Sequence, residues 1–452
     1  MTSPALPADR LSELRAAVER EMPGLRRDLE HLVRIPSVSA GAFDQAHVEA
    51  SAEAVAELLR GAGMQDVEIL REGGAPAVVG HLPGPQGSPT VLLYAHHDVQ
   101  PSGEDDDWTT APFEPTERDG RLYGRGAADD KAGIVAHLAA LRAHDGRPPV
   151  GVTIFVEGEE ESGSPSLGEI LRRHRDRLAA DVLVLADSTN WKIGVPALTT
   201  SLRGNIKADV EVRTLDHAVH SGMFGGAVLD AVTALTRLLS SLHDDNGDVA
   251  VPGLQESRVA DLDLTDEQLR ADAGVLDGVE VVGTGSLTAR LWGKPALTVI
   301  GIDVPTTARS SNTLLPVARA RISLRVAPGQ APQDAYDALA AHLRTQAPWG
   351  ARVEVTLTET GAGFQAQADG PAYGAARAAF ADAWGTQPVD MGVGGSIPFI
   401  AEFAEIFPDA AILVTGVEDP DTRAHGANES LHLQEFAKVC LAEAVLLERL
   451  AG

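Results

Sequence analysis

The chain is poor in cysteine and in positive charge, and each shortage excludes a class of protein. Its single cysteine, Cys440, rules out an intramolecular disulfide and a zinc cluster built from thiolates. The neighbours of Cys440 are apolar, which predicts a buried structural thiol. Lysine and arginine number 37 against 65 acidic residues, giving a formal net charge of −28. Nucleic acids and anionic membranes both attract a basic surface, so we expect neither as a partner.

Long hydrophobic runs are also missing. No stretch of about 18 apolar residues occurs, which argues against a transmembrane helix. The opening residues, MTSPALPADR, lack the charged start and apolar core of a secretory signal. We therefore expect a cytoplasmic protein.

The pattern of elements predicts an α/β domain interrupted by an inserted α+β domain. Near-continuous apolar runs such as "TVLLYA" (90–95) and "DVLVLA" (181–186) suit strands of a mostly parallel sheet covered on both faces. From about residue 199 the predicted order becomes β-α-β-β-α-β, the ferredoxin-like arrangement. We place the inserted domain at 199–363, between two segments of the first domain at 1–198 and 364–452.

Metal-binding side chains collect after the predicted strands of the first domain. Ligand sites in open α/β sheets lie outside the carboxyl ends of the strands. Any one histidine or acidic triplet is more often a surface or core feature, but the conjunction of several strand ends indicates a site. The residues that follow or lie between these strands are His96, His97 and Asp98; Asp129 and Asp130; Glu157 and Glu159 to Glu161; Asp187; and His425.

Strand alternation separates the adjacent histidines. Residues two apart on an extended chain point the same way, so His96 and Asp98 can face one site. Asp98 can then accept the second imidazole N–H and orient the ring, as carboxylates behind metal-binding histidines do. His97 is expected to point away from this site, so we do not include it among the site residues. The three glutamates at 159–161 cannot be ranked from composition.

The sequence lacks the motifs of several other enzyme classes. The sequence contains no HExxH, no Walker A loop, no GxSxG elbow and no GxGxxG after a strand. The glycine-rich "GVGGSIP" (392–398) lacks the lysine of a phosphate-binding loop.

Taken together, the motifs resemble those of the two-metal dipeptidase and deacylase family, over nearly the whole chain. This family includes carnosinases, cytosolic non-specific dipeptidases, acetylornithine deacetylase and succinyl-diaminopimelate desuccinylase. The resemblance is to the dipeptidase branch, through stretches such as "YAHHDVQP", "LYGRGAADDK", "EGEEESGS", "VHSGMFGG" and "GGSIP".

The resemblance implies a role for each candidate residue in the first domain. His96 and Asp187 would bind one metal ion, Glu161 and His425 the other, and Asp129 would bridge both. Glu160 would be the general base and Asp98 would support His96. The implied cofactors are two divalent ions per chain, zinc first, with manganese or cobalt as alternatives that suit nitrogen and oxygen ligands.

In the inserted domain the resemblance implies substrate contacts and a dimer. His220 matches a histidine that reaches the active site of a neighbouring subunit, which implies a homodimer through the inserted lid domain. Arg325 matches an arginine that holds the free carboxylate of the substrate, and Gly395 and Ser396 match a backbone and a hydroxyl contact. The sequence departs from the family at Ala218, where an aspartate is usual.

The activity implied is hydrolysis of the amide bond of a dipeptide with a free C-terminal carboxylate. The alternative is an N-acyl amino acid deacylase of the acetylornithine deacetylase or desuccinylase type, because those substrates also offer a carboxylate and an amide. A non-catalytic binding protein on the same fold is a third hypothesis, although such a protein would be expected to have lost ligands.

Overall fold

The computed structural model describes residues 6–395 and 398–452. Its strands are β1 (Gln65–Leu70), β2 (Ala77–Leu82), β3 (Thr90–His96), β4 (Thr116–Arg118), β5 (Arg121–Tyr123), β6 (Gly151–Glu157), β7 (Val182–Leu185), β8 (Ala197–Leu202), β9 (Gly204–Arg213), β10 (Val219–His220), β11 (Ala296–Asp303), β12 (Thr313–Leu314), β13 (Val317–Val326), β14 (Arg352–Gly361), β15 (Phe364–Gln365), β16 (Val389–Val393), β17 (Ala411–Val414) and β18 (Ser430–His432). Its α-helices are α1 (Ala8–Val33), α2 (Ala46–Gly61), α3 (Lys131–Ala143), α4 (Leu167–Arg173), α5 (Arg175–Leu178), α6 (Ser221–Phe224), α7 (Ala231–Ser240), α8 (Asp266–Ala273), α9 (Pro332–Thr345), α10 (Pro371–Trp384), α11 (Pro398–Ile406) and α12 (Leu433–Leu450).

The chain divides into two compact units. The first comprises Met1–Thr200, Ala366–Asp390 and Phe399–Gly452, and the second comprises Ser201–Gln365 and Met391–Pro398. The inserted domain was predicted at 199–363. In the structure the corresponding segment is Ser201–Gln365, so each boundary lies two residues later than predicted. The prediction left 391–398 in the first domain, whereas Met391–Pro398 groups with the second unit. The strand β16 passes from one unit into the other, which no change in composition signals.

The sheet of the first unit has a parallel centre and antiparallel edges. Strands β6, β3, β7 and β17 pair in parallel, whereas β1, β2 and β8 join antiparallel. The predicted mostly parallel sheet is thus confirmed at its centre. The connection between β1 and β2 is too short for a crossover helix, so these two strands form a hairpin.

Burial on both faces explains the apolar strands. Every residue of β6 and β7 is buried, and the helix α3, which is apolar nearly all round, is buried as well. Tyr94 of β3 stacks on Phe399 with ring centroids 4.5 Å apart. The four parallel strands end at one edge of this covered sheet. The helix α3 begins directly after Asp130, whose carboxylate accepts the backbone N–H of His96 at the end of β3.

The second unit has the ferredoxin-like arrangement that was predicted. Its antiparallel sheet has the order β11-β13-β9-β14, with α7 and α9 in the connections β9–β11 and β13–β14. The helix α7 begins at Ala231 and not at 226, because Asp230 caps it by accepting the N–H groups of Val232 and Thr233.

Two smaller predictions can also be compared with the structure. Cys440 is buried on α12, as its apolar neighbours predicted. Among the helices in residues 6–395 and 398–452, none is both long and apolar enough to cross a membrane.

Candidate metal centre

Two of the predicted ligands lie at the carboxyl ends of the parallel strands. His96 is the last residue of β3 and is fully buried, and Asp187 follows β7 by two residues. The register of β3 places His96 opposite Glu157, the last residue of β6, so the glutamates that follow come to the same edge.

Asp129 lies between two histidines. Its Oδ1 is 3.1 Å from Nε2 of His96, and its Oδ2 is 3.0 Å from Nε2 of His425. The same nitrogen of His425 is 3.3 Å from Oε2 of Glu161. Each oxygen of this one carboxylate thus faces a different histidine, the arrangement that a bridging ligand requires.

The described residues contain two overlapping groups whose ligand atoms all lie within 4.8 Å of one another. One consists of His96, Glu160 and Asp187, and the other of His96, Asp129 and Glu161. The structure therefore brings the predicted ligands and the predicted base into one cluster. Glu160 is close enough to ligate, so proximity alone does not separate its role from that of Glu161.

Asp98 contacts the backbone of the glutamate turn in addition to His96. The Nδ1 of His96 is 3.1 Å from the backbone oxygen of Asp98 and 3.4 Å from its carboxylate. The buried carboxylate also accepts the N–H groups of Glu160 at 3.2 Å and Glu161 at 3.0 Å. Asp98 therefore orients the His96 ring and fixes the turn that carries both glutamates.

The structure separates Glu159 from the other two glutamates, which composition could not do. Glu159 is buried and accepts the N–H groups of Ser166 at 2.7 Å and Ala75 at 2.9 Å, so it supports the loop. Glu160 and Glu161 lie in a 3₁₀ turn, so strand alternation does not apply to them. Gln100 holds the Glu161 carboxylate through its backbone N–H at 3.2 Å and its side-chain amide at 2.8 Å.

His97 points away from the cluster, which confirms the prediction from strand alternation. Its Nε2 lies 2.8 Å from the backbone oxygen of Pro76. Burial lowers the pKa of His97 to about 4, so the ring is neutral at physiological pH and serves packing.

The cluster concentrates negative charge in a buried place. Burial, reinforced by the nearby Asp129 and Glu161, raises the pKa of Asp187 to about 7. Burial and the charge of Asp187 hold the pKa of Glu160 well above its usual range. Hydrogen bonds to Asp129 and Glu161 raise the pKa of His425 to about 11. Carboxylates and imidazoles that compete for protons in this way form a donor set that suits divalent cations.

Glu418 belongs to the same electrostatic environment, and the sequence analysis missed it. Burial and the charges of Asp129 and Asp187 raise its pKa well above the usual range. It is the first charged residue after β17, so the strand-end rule that selected Asp187 would also have found it.

The predicted substrate-binding residues lie in the second unit. His220 is exposed at the end of β10, and its Nδ1 accepts the N–H of Gly222 at 3.0 Å, which assigns the ring proton to Nε2. Arg325 is half-buried on β13. Gly395 follows Gly394, whose oxygen accepts from Arg203 Nε at 3.0 Å. Ser396 lies outside the residues that the structure describes.

Arg203 is a second residue that sequence reasoning missed. Burial and the neighbouring Arg325 lower the pKa of Arg203 to about 10. Two guanidinium groups that repel each other create a positive potential, which favours binding of an anion between or beside them. The signal lay in the stretch "LTTSLRG" (198–204), which contains this arginine.

The sequence model of peptidase family M20/M25/M40 matches residues 92–449. The chain belongs to this family. It is 38% identical over 367 residues to the cysteinylglycine-S-conjugate dipeptidase of Corynebacterium striatum, covering 80% of this chain and 81% of that protein. It is 30% identical over 380 residues to the beta-Ala-His dipeptidase of Homo sapiens, covering 79% of this chain and 74% of that protein.

The fold is similar to that of a solved family member. Human carnosine dipeptidase 1 superposes with a TM-score of 0.78 and 26% identity, covering 99% of each chain. The predicted family, its dipeptidase branch and the hydrolase class are confirmed by these relatives.

We predict that Asp129→Ala removes both metal ions, because one carboxylate faces both histidines. Elemental analysis of the purified variant should fall from about two divalent ions per chain to a small fraction of one. The matched control is Asp119→Ala at an exposed turn, which should leave metal content unchanged. Full occupancy in Asp129→Ala would contradict the assignment.

We also predict that the metal-free protein loses stability as pH rises from about 5.5 to about 8. The pKa of Asp187 is raised from 3.8 to about 7, and that of His425 from 6.5 to about 11. Between each pair of values the folded chain binds more protons than the unfolded chain, so the free energy of unfolding falls with rising pH.

Bound metal replaces these protons, so the increase in Tm on adding metal should be larger at pH 8 than at pH 5.5. Calorimetry of chelator-treated and reloaded protein measures both effects. A metal-free Tm that rises across this range would contradict the charge cluster described here.

Proposed function

We propose that this protein is a two-metal dipeptidase that hydrolyses the amide bond of small peptides with a free C-terminal carboxylate. The observation that carries the proposal is the Asp129 carboxylate, which faces His96 through one oxygen and His425 through the other. The two relatives described above are named as dipeptidases, which supports a dipeptide as substrate.

The residues present fit two divalent ions. We assign His96 and Asp187 to one ion, Glu161 and His425 to the other, and Asp129 to both. Zinc is our first choice, with manganese or cobalt as alternatives, because the ligands are nitrogen and oxygen atoms. When bound, such ions acidify water and polarise a carbonyl group.

Glu160 is our candidate for proton transfer. It would take a proton from the attacking water and deliver it to the leaving amine, which requires a carboxylate with a raised pKa. Burial and the charge of Asp187 give Glu160 that property. Its backbone is held by Asp98, so the carboxylate is presented from a fixed turn.

His220 and Arg325 are our candidates for binding the substrate. With its proton on Nε2, His220 can donate to the oxyanion that forms when water attacks the carbonyl. Arg325 can hold the terminal carboxylate through two parallel hydrogen bonds, with the positive charge of Arg203 nearby. Gly395 would add a backbone contact and Ser396 a hydroxyl contact.

We further propose that the second unit is a lid and dimerisation domain. His220 would then serve the active site of the neighbouring subunit in a two-fold homodimer, the commonest symmetry of oligomers. A cytoplasmic location and the absence of nucleic acid or membrane as partners remain predictions from the sequence.

The N-acyl amino acid deacylase is the second candidate activity. Arg203 and Arg325 would recognise the carboxylate of either substrate class, so the difference lies at the opposite end of the substrate. There a dipeptide carries a free ammonium group and an N-acyl amino acid does not. The two relatives described above are both named as dipeptidases, which favours the substrate with the free ammonium group.

We predict that the purified enzyme hydrolyses unmodified dipeptides at least about tenfold faster, as kcat/KM, than the same dipeptides with an acetylated N-terminus. N-Acetyl amino acids and C-terminally amidated dipeptides complete the panel. The amidated dipeptides should be poor substrates because they lack the C-terminal carboxylate that Arg325 would bind. Faster cleavage of N-acetyl amino acids would favour the deacylase, and no cleavage of any compound by metal-loaded protein would favour a binding protein.

We predict opposite phenotypes for the adjacent glutamates. Glu160→Gln should keep both ions and lose at least about 100-fold in kcat, because only proton transfer is removed. Glu161→Gln should lose metal first. Glu159→Gln is the neighbouring control, and it should lower Tm through its contacts with Ser166 and Ala75 while keeping the metal. The reverse pattern would mean that Glu160 and Glu161 exchange roles.

We predict that two inactive variants complement each other. Mixing Glu160→Gln subunits with His220→Ala subunits gives hybrid dimers in which one site contains both native residues. After statistical exchange, activity should return to about a quarter of the wild-type value. Differently tagged subunits, isolated as hybrids by sequential affinity steps, show that exchange has occurred. Inactive hybrids would mean that His220 acts within its own chain or not at all.

A further inference from the structure

A buried ion pair holds the loop that carries Asp129, and the proposed chemistry does not use it. Arg125 and Glu429 are 1% and 0% exposed, and Nη1 of Arg125 donates to Oε2 of Glu429 at 2.6 Å. Burying two charges has a desolvation cost that their attraction often fails to offset. Their other contacts indicate what the pair does.

Glu429 binds the backbone of the Asp129 loop through both carboxylate oxygens. Its Oε2 accepts the N–H of Gly126 at 3.0 Å. Its Oε1 accepts the N–H groups of Ala128 at 3.0 Å and Asp129 at 3.2 Å. The backbone leading into Asp129 is therefore fixed by one side chain that lies four residues after His425.

Arg125 connects this loop to two other segments near the metal ligands. Its Nη2 donates to the backbone oxygen of Gly426 at 3.2 Å and to that of Pro101 at 3.3 Å. Gly426 directly follows His425, and Pro101 directly follows Gln100, which holds the carboxylate of Glu161. One guanidinium group thus contacts the segments that position two proposed ligands.

We propose that Glu429 and Arg125 are a positioning pair that fixes Asp129 relative to His425, so that both metal ions are held at once. This inference rests on the proposed ligand set. A carboxylate is required because both of its oxygens accept hydrogen bonds, whereas glutamine would direct its NH₂ group at an N–H donor. Groups behind the direct ligands tune metal affinity in this way.

The first test is the zinc affinity of Glu429→Gln, measured by titrating metal-free protein against a chromogenic zinc chelator. We expect affinity to fall by about 10- to 100-fold. Glu443→Gln is the matched control, because Glu443 is also buried and lies 2.7 Å from Nδ1 of His137. That variant should keep wild-type zinc affinity. Wild-type affinity in Glu429→Gln, or an equal loss in Glu443→Gln, would overturn the proposal.

The second test separates positioning from folding stability. In Glu429→Gln the Arg125 charge is left buried without its partner, so Tm should fall. Adding Arg125→Met removes that charge, and Tm should recover toward the wild-type value while zinc affinity stays low. Recovery of both together would mean that the pair is only structural and would overturn the proposal.

The ligand set is checked separately with Asp129→Ala. Loss of zinc in Asp129→Ala together with wild-type affinity in Glu429→Gln would reject the positioning pair alone. Full zinc occupancy in Asp129→Ala would reject the ligand set on which the inference rests.

Discussion

The constraint on which the centre depends is the crowding of carboxylates where water has little access. Burial raises the free energy of ionising each carboxyl group and neighbouring charges raise it further, so the pKa of Asp187 lies at about 7. Two histidines cannot offset so much negative charge alone. Divalent cations can, so the same crowding that destabilises the metal-free protein favours metal binding. The fold supplies this arrangement by ending four parallel strands at one edge.

Many of the acids around this edge hold backbone in place. Asp98 accepts the N–H groups of the glutamate turn, Glu159 those of Ser166 and Ala75, and Glu429 those of the Asp129 loop. Loops lack the hydrogen bonds of helices and strands, so buried carboxylates take over that function here. The proposed ligands on these loops can therefore be held as firmly in place as His96, which lies on the strand β3.

Sequence reasoning reached the parts of the molecule that follow from regular geometry. His96 and His97 were separated by strand alternation, and Asp187 was located by its strand end. It could not reach the glutamate turn, because the orientation of Glu159 depends on Ser166 and on a contact with the distant Ala75. The roles of Glu160 and Glu161 came from the family resemblance, because their positions in the sequence do not distinguish them. The antiparallel edges of the sheet and the late start of α7 depend on local connections and a cap that periodicity does not register.

The passage of Met391–Pro398 into the second unit affects how this protein could be recombined. An insertion bounded by two cut points can be exchanged between homologues as one cassette. Here a graft of 201–365 alone would carry Arg203 and Arg325 but leave behind Gly394, whose carbonyl accepts from Arg203. Chimaeras that exchange this unit therefore need a second, short donor segment, because without it Arg203 would face the Gly394 turn of the other parent.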